Sequence, residues 1–246
     1  LRDLEEGGKR GLVWSIERAM RAILFFDFLC LPETDFAVKP FRLELWQKFL
    51  VGSLFGWLRE DGSRRFRTGY CEIGKGNGKS PLAAGIGLYG MTADGESGAE
   101  IYSAATMRDQ AKILWTDACR MVEASPGLAR RLKVSGTSIT IGGSSFKPVS
   151  SEHRGLDGKR VHMALIDEVH EHPTSMVVDK MRAGTKGRRQ ALIFEITNSG
   201  FDRHSICRQH HDYSLKVLEG SQPDDSWFAY VCQLDEGDDW KNDPSC

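Results

Sequence analysis

The chain has 246 residues, of which 40% are hydrophobic and 27% charged, with a formal net charge of −1. This length suffices for one sizeable core, or for one core with a small satellite. This net charge excludes the strongly basic overall surface that is typical of nucleic-acid-binding proteins, although it is compatible with a local basic patch. The longest apolar run, residues 22–31, is interrupted by Asp27 and is too short to span a bilayer. The 6 cysteines form no C-x-x-C pair, which disfavours a zinc ribbon or a disulfide framework and favours reduced thiols in a cytosolic compartment.

The first part of the chain is predicted to be helical. Apolar residues recur at every third or fourth position between residues 12 and 26, which predicts a helix over 1–31 that ends at Pro32. A second helix is predicted over 41–57 and carries Gln47. A glutamine amide offers donors and an acceptor that suit the edge of an adenine ring, but the spacing alone favours a surface glutamine.

A glycine-rich segment follows a predicted strand over 67–73. The segment reads Gly74-Lys75-Gly76-Asn77-Gly78-Lys79-Ser80, and a helix is predicted after it, with Pro81 in the first turn. Glycines let backbone N–H groups converge on an anion, and the helix N-terminus adds partial positive charge. We therefore predict a phosphate loop, in which Lys79 reaches the β- and γ-phosphates and the Ser80 hydroxyl holds Mg²⁺. Ile73 occupies the position of the first glycine of the usual G-x-x-x-x-G-K-[ST] pattern.

Strands and helices alternate through the rest of the core. The sequence predicts strands over 101–105, 161–166 and 191–196, helices over 82–89 and 109–123, and a hairpin around Gly142-Gly143. This alternation predicts an α/β fold with a mostly parallel sheet covered by helices on both faces. The core is expected over residues 1–200. Residues 201–246 are poorer in apolar residues and more acidic, and they indicate a small appended subdomain.

Two carboxylates close the apolar strand 161–166. A nucleotide-hydrolysing site needs one carboxylate to organise Mg²⁺ and another beside the γ-phosphate to orient water. Asp167 suits the first role and Glu168 the second. His170 and His172 follow, but without a distant third ligand their spacing argues against a zinc site.

Two further polar segments are candidates for the same site. Thr197, Asn198 and Ser199 end the next strand, where small polar groups can bond both a γ-phosphate and a neighbouring segment and so couple nucleotide state to movement. An ordinary turn explains them equally well. Arg154 lies in a glycine-flanked loop from which an arginine can reach a γ-phosphate in its own or a neighbouring subunit, and Arg160 competes for that role. Spacing alone favours solvated surface arginines.

Taken in order, these motifs resemble the ATPase domain of the tailed-bacteriophage terminase large subunit, the DNA-packaging motor, over nearly the whole chain. The segment around Gln47 is similar to the adenine-binding region of that family. Residues 75–80 are similar to its deviant phosphate loop, in which Lys75 stands where arginine is common. By this resemblance Lys75 is also a candidate catalytic residue.

The later motifs extend the resemblance. Asp167 and Glu168 match the Mg²⁺ aspartate and the catalytic glutamate of the family. Residues 197–200 are similar to its coupling motif, which usually carries two threonines, with Asn198 in place of the second. Arg154 lies in what looks like the loop that supplies a trans-acting arginine finger.

The resemblance implies a P-loop NTPase fold of the ASCE, RecA-like type, with residues 201–246 as a small C-terminal lid. It implies hydrolysis of ATP with Mg²⁺ to drive double-stranded DNA into a procapsid. The implied partners are DNA, further copies in a homo-oligomeric ring on the portal protein, and the small terminase subunit, with no membrane. The implied location is the host cytoplasm during virion assembly, outside the finished virion. Family members continue into a nuclease domain for which this chain has no room, so no nuclease activity is expected.

Two alternatives remain at this point. Residues 167–170 spell the D-E-x-H box of a helicase superfamily, and Gln47 could serve as its adenine glutamine. A helicase needs a second RecA-like domain, and too few residues follow Gly200 for one, so this reading requires a truncated enzyme. The other alternative is a nucleotide-switched assembly subunit without turnover, which has no need for a base such as Glu168.

Overall fold

The computed structural model describes residues 2–32, 38–151, 156, 158–200 and 205–233. The strands are β1 (Leu12–Trp14), β2 (Cys30–Pro32), β3 (Val38–Pro40), β4 (Trp57–Arg59), β5 (Thr68–Glu72), β6 (Glu100–Ala105), β7 (Lys133–Val134), β8 (Ile139–Ile141), β9 (Ser144–Ser150), β10 (Val161–Ile166), β11 (Leu192–Thr197) and β12 (Trp227–Val231). The α-helices are α1 (Arg2–Glu6), α2 (Ile16–Phe25), α3 (Leu45–Gly56), α4 (Lys79–Thr92), α5 (Arg108–Ala124), α6 (Pro126–Ala129), α7 (Met176–Ala183) and α8 (Ile206–Glu219).

One eight-stranded sheet organises the molecule, in the order β12-β5-β11-β10-β6-β9-β8-β7. The pairings from β12 through β9 are all parallel, whereas β8 and β7 add an antiparallel edge. The predicted mostly parallel α/β sheet and the hairpin around Gly142-Gly143 are therefore confirmed. Because β5, β11 and β10 are neighbours, the polar segments that follow them meet at one edge of the sheet.

Helices cover both faces of the sheet, as predicted. Alternate residues of β10 enter two separate cores, with Met163 and Leu165 in one and Ala164 and Ile166 in the other. The first core is closed by α4 and α5, and the second by α7 and the start of α8. Every residue of β10 is buried, which explains why its sequence is apolar at all positions except His162 rather than alternating.

The predicted single helix over 1–31 is wrong. The segment contains α1, β1, α2 and β2, and β1 pairs antiparallel with β4. Three glycines lie between α1 and β1, and one of them, Gly11, has φ of 69°, which a continuing helix does not allow. Ser15 then caps α2, since its side chain accepts a hydrogen bond from the backbone N–H of Arg18. The second predicted helix, over 41–57, is confirmed only from Leu45 to Gly56, because Glu44 caps its start and Trp57 begins β4.

The described part of residues 201–246 contains α8 and β12. Strand β12 belongs to the main sheet and pairs in parallel with β5, the strand that leads into the phosphate loop. Helix α8 packs on β12 and β5. The domain boundary at residue 200 stays a prediction. Across the described ranges, no helix combines the length and the apolar character needed to cross a membrane.

Candidate active site

The glycine-rich segment forms a loop between the end of β5 and the start of α4. Gly76 and Gly78 have φ of 82° and 71°, in the left-handed region that a residue with a Cβ enters only at a cost. Asn77 turns its side-chain amide back to donate to the carbonyl of Gly74 at 3.1 Å. The local sequence therefore folds as the loop that was predicted, with its backbone curled at the N-terminus of a helix.

Lys79 is tied to the inside of this loop. Its ammonium donates to the carbonyl oxygens of Ile73 at 2.8 Å and Gly74 at 2.9 Å, and to Oδ1 of Asn198 at 2.5 Å. Burial lowers the pKa of Lys79 below its usual range. A phosphate is a stronger partner for an ammonium than these neutral oxygens are, so Lys79 is already placed to bind one.

Ser80 and Asp167 bring the phosphate loop and β10 together. The Ser80 hydroxyl donates to Oδ2 of Asp167 at 3.1 Å, and the backbone N–H of Glu168 donates to Oδ1 of Asp167 at 2.9 Å. Burial, together with the charge of Glu168, raises the pKa of Asp167 to about 6. A hydroxyl beside a buried carboxylate is a donor set that fits Mg²⁺, since the cation would offset the charge that burial penalises.

Glu168 has an unusual backbone. With φ of 49° and ψ of 54°, it is the only residue other than glycine with a positive φ within the described part of the chain. Its Oε2 accepts a hydrogen bond from Nδ2 of Asn198 at 3.3 Å and lies 3.2 Å from Nδ1 of His170. Strained conformations of this kind cluster at functional sites, and here the carboxylate contacts Asn198, which in turn binds Lys79 of the phosphate loop.

Asn198 connects the two halves of the cluster. Its side-chain oxygen, Oδ1, accepts a hydrogen bond from the ammonium of Lys79, and its side-chain nitrogen, Nδ2, donates one to the carboxylate of Glu168. The amide meets these two partners with two separate atoms, an acceptor for the ammonium and a donor for the carboxylate. The asparagine that stands in place of the second threonine of the coupling motif therefore links Lys79 to Glu168 in this structure.

The residues on either side of Asn198 make contacts of their own. The hydroxyl of Thr197 lies 3.1 Å from Nδ1 of His170 and donates to the carbonyl of Asn198 at 2.9 Å. The hydroxyl of Ser199 donates to Oε1 of Glu72 at 3.0 Å. The sequence interpretation considered His170 as a metal ligand and as the last residue of a D-E-x-H box, and it did not consider Glu72. The D-E-x-H spacing is the signal that could have placed His170 beside Glu168.

Gln47 lies next to the phosphate loop. Only 4% of the residue is exposed, so the reading as a surface glutamine is wrong. Its Oε1 accepts from the backbone N–H of Glu44 at 3.0 Å, and its amide nitrogen faces Gly78. A cavity of about 770 Å³ opens there, lined among others by Phe41, Gln47, Gly78 and Arg120. Its size is in the usual range for small-molecule pockets.

The candidate basic residues differ in position. Arg154 lies outside the described residues. Arg160 precedes β10, whose carboxyl end carries Asp167, so six residues of strand place it roughly 20 Å from the cluster. Arg160 therefore cannot complete the site of its own chain. Lys75 is exposed in the phosphate loop.

Comparison with known proteins adds an independent finding. Residues 45–216 match the family described as the terminase large subunit, ATPase domain. The chain belongs to this family. The match covers the phosphate loop, the carboxylates after β10, the coupling segment and part of α8. It decides against the helicase alternative.

Three relatives illustrate the extent of this similarity. The chain is 39% identical over 84 residues to Protein YmfN of Escherichia coli K12, an alignment that covers 34% of this chain and 18% of YmfN. It is 24% identical over 238 residues to the terminase large subunit of Enterobacteria phage HK97, covering 86% of this chain and 45% of that protein. The crystal structure of the HK97 large terminase superposes with a TM-score of 0.75 at 21% identity, over 90% of this chain and 45% of that one. The large terminase of the thermophilic bacteriophage D6E, solved in complex with ADP, superposes with a TM-score of 0.51 at 16% identity, over 68% of this chain and 40% of that one.

The structural similarities establish the P-loop ASCE fold of terminase ATPase domains for this chain. The chain spans less than half the length of the curated relatives that it matches.

Proposed function

We propose that this domain hydrolyses ATP to ADP and phosphate with Mg²⁺, as the motor that drives double-stranded DNA into a procapsid. One observation carries the proposal. The amide of Asn198 joins the lysine of the phosphate loop to Glu168, while Ser80 and Asp167 are hydrogen-bonded beside them. A phosphate-binding group, a metal-binding pair and a candidate base thus form one connected cluster at the edge of the sheet.

Each residue of the cluster has a role in the proposal. The adenine occupies the cavity beside Gln47, and the phosphates lie along residues 74–80, with Lys79 on the β- and γ-phosphates. Ser80 and Asp167 hold Mg²⁺, which supplies neutralisation of charge on the phosphate oxygens. Glu168 accepts the proton of the attacking water, and Asn198 holds the carboxylate in position until nucleotide binds.

Further residues and partners complete the proposed motor. Arg154 of a neighbouring copy completes the site, Lys75 assists at the phosphates, and Thr197, Asn198 and Ser199 relay hydrolysis to the lid over 201–246. The domain works in a homo-oligomeric ring on the portal protein with the small terminase subunit, in the host cytoplasm during assembly. Contacts to DNA are to its backbone, so DNA affinity should fall steeply with salt concentration.

The first test compares the wild-type chain with Glu168→Gln in phosphate release from Mg-ATP. Removing a general base is expected to lower turnover by about 10²–10⁴-fold. Nucleotide affinity, measured separately by calorimetry, should change little, because Glu168 acts on water and not on the nucleotide.

Glu171→Gln is the matched control. Glu171 is an exposed carboxylate that also contacts His170, at 3.2 Å. Its substitution should leave turnover near the wild-type value. Unchanged turnover in Glu168→Gln would refute the proposed base. Tight nucleotide binding without turnover in the wild-type chain, at any protein concentration and with DNA present, would favour the non-hydrolysing switch.

A further inference from the structure

A second polar cluster lies beneath α8, next to the candidate site. It centres on Glu72, the last residue of β5, which stands two positions before Gly74 of the phosphate loop. Only 3% of the Glu72 side chain is exposed. Burying a carboxylate costs free energy unless hydrogen-bond donors satisfy it, so the donors around Glu72 indicate its role.

Three donors from three elements meet at this carboxylate. The hydroxyl of Tyr70, on β5, donates to Oε2 at 2.7 Å. Nδ1 of His211, on α8, lies 2.8 Å from the same oxygen, and the Ser199 hydroxyl donates to Oε1 at 3.0 Å. Burial raises the pKa of Tyr70 far above its usual range, so the tyrosine remains a neutral donor.

The position of Ser199 connects this cluster to the nucleotide. Asn198 bonds Lys79 and Glu168, and the next residue bonds Glu72. A phosphate that draws Lys79 away from Asn198 would therefore shift the turn that also holds Ser199. A cavity of about 160 Å³ borders Glu72, Ser199 and His211, which gives these side chains room to move.

We propose that Glu72 is a positioning residue that transmits the state of the nucleotide site to α8, through Ser199 on one oxygen and His211 on the other. This inference rests on the proposed function, because it needs nucleotide to bind at the phosphate loop. Glu72 does not touch the reacting atoms. Its role is to make the turn after β11 and helix α8 move together.

The test measures backbone hydrogen exchange of α8, residues 206–219, with and without Mg²⁺ and a non-hydrolysable ATP analogue. In the wild-type chain the analogue is expected to change the exchange of α8. Ser199→Ala and His211→Leu each cut one link, so each should shrink that change about five-fold or more. The affinity for the analogue should remain within about three-fold of wild type, since neither residue contacts the nucleotide in the proposal.

Two further variants separate coupling from simple packing. His211→Asn places an amide N–H near the position of Nδ1 and should restore the response of α8. Ser214→Ala removes the buried hydrogen bond that the indole N–H of Trp227 donates to α8, without touching Glu72, and should leave the response intact. Ser199→Ala deletes a single hydroxyl and decides the question even if His211→Leu does not fold.

Several outcomes would overturn the inference. A wild-type response of α8 in Ser199→Ala would break the proposed link, and so would equal loss in His211→Asn and His211→Leu. If the wild-type chain binds the analogue but α8 does not respond, this inference is wrong while the proposed function stands. If the wild-type chain binds no analogue, the proposed function fails and this inference falls with it.

Discussion

The ionised carboxylate of Asp167 destabilises the nucleotide-free protein. Its pKa is raised to about 6 by burial and by the charge of Glu168. The pKa of this group is lower in the unfolded chain, so folding favours the protonated form. The contribution of Asp167 to the free energy of unfolding is therefore fully present below about pH 4 and is lost as the pH rises through about 6. At neutral pH the ionised group costs on the order of 2–3 kcal/mol.

We therefore expect Asp167→Asn to stabilise the nucleotide-free protein at neutral pH while abolishing Mg²⁺-dependent turnover. The asparagine carries no charge, and its oxygen can still accept from Ser80 or from the backbone N–H of Glu168. Thermal unfolding without metal measures the effect, with Asp109→Asn, an exposed aspartate on α5, as the control of small effect. A lower melting temperature for Asp167→Asn than for wild type would contradict this account.

Glu72 shows why sequence reasoning missed part of the site at the residue scale. The contact between Glu72 and His211 joins residues 139 positions apart. Local spacing carries no information on such pairs, because the fold and not the periodicity brings them together. Lys79, Ser80, Asp167 and Glu168 were identifiable because each stands at a fixed offset from a strand end.

Helix α4 fits against its neighbours only because glycines line it. A Cβ on Gly87 would lie 2.7 Å from Cδ1 of Leu165 and 2.8 Å from Cε1 of Phe146. A Cβ on Gly85 would meet the ring of Phe26 at 2.4 Å, and one on Gly90 would meet Sδ of Met163 at 2.3 Å. The absence of side chains at Gly87 and Gly90 therefore lets α4 lie close to β9 and β10.

Gly87→Ala is therefore expected to destabilise the protein by roughly 1–3 kcal/mol, although alanine is the better helix former. Denaturant unfolding measures the change. Gly127→Ala, on α6, is the control, because no atom lies within 4 Å of the added Cβ there. It should be neutral or mildly stabilising. Equal effects of the two substitutions would show that close packing does not explain the glycines of α4.

At the scale of elements, burial determined which predictions succeeded. Strands β6, β10 and β11 are almost wholly buried, and their apolar runs predicted them. The N-terminal segment misled, because Leu12 and Ile16 fit a helical spacing although they lie on β1 and α2. Its glycines were the better signal. A three-residue strand such as β1 carries too little pattern to be distinguished from a helical turn.

At the scale of the whole molecule, the described residues place neither of the two predicted arginine fingers at the cluster of Asp167, Glu168 and Asn198. Lys79 donates a hydrogen bond to Asn198, which belongs to this cluster. Arg160 stands at the opposite edge of the sheet. Transfer of a phosphoryl group to water develops charge that arginine fingers commonly stabilise. Of the two arginines that the sequence suggested, Arg154 therefore remains, and its own chain or a neighbour can supply it.

Mixing two inactive variants distinguishes these cases. Arg154→Ala is expected to lower turnover by about 10³-fold or more while nucleotide still binds, and Glu168→Gln to lower it by about 10²–10⁴-fold. If the arginine acts between copies, an Arg154→Ala subunit receives an intact arginine from a Glu168→Gln neighbour. In an equal, random mixture, about a quarter of the head-to-tail interfaces regain both groups.

The mixture should then recover up to about a quarter of wild-type turnover, and the recovery should rise with total protein concentration. If the arginine acts within its own chain, no interface regains both groups and the mixture stays as inactive as its components. Near-normal turnover of Arg154→Ala alone would remove this residue from the site. A ring with shared sites thus predicts activity from two proteins that have none separately, an outcome that a monomeric ATPase cannot produce.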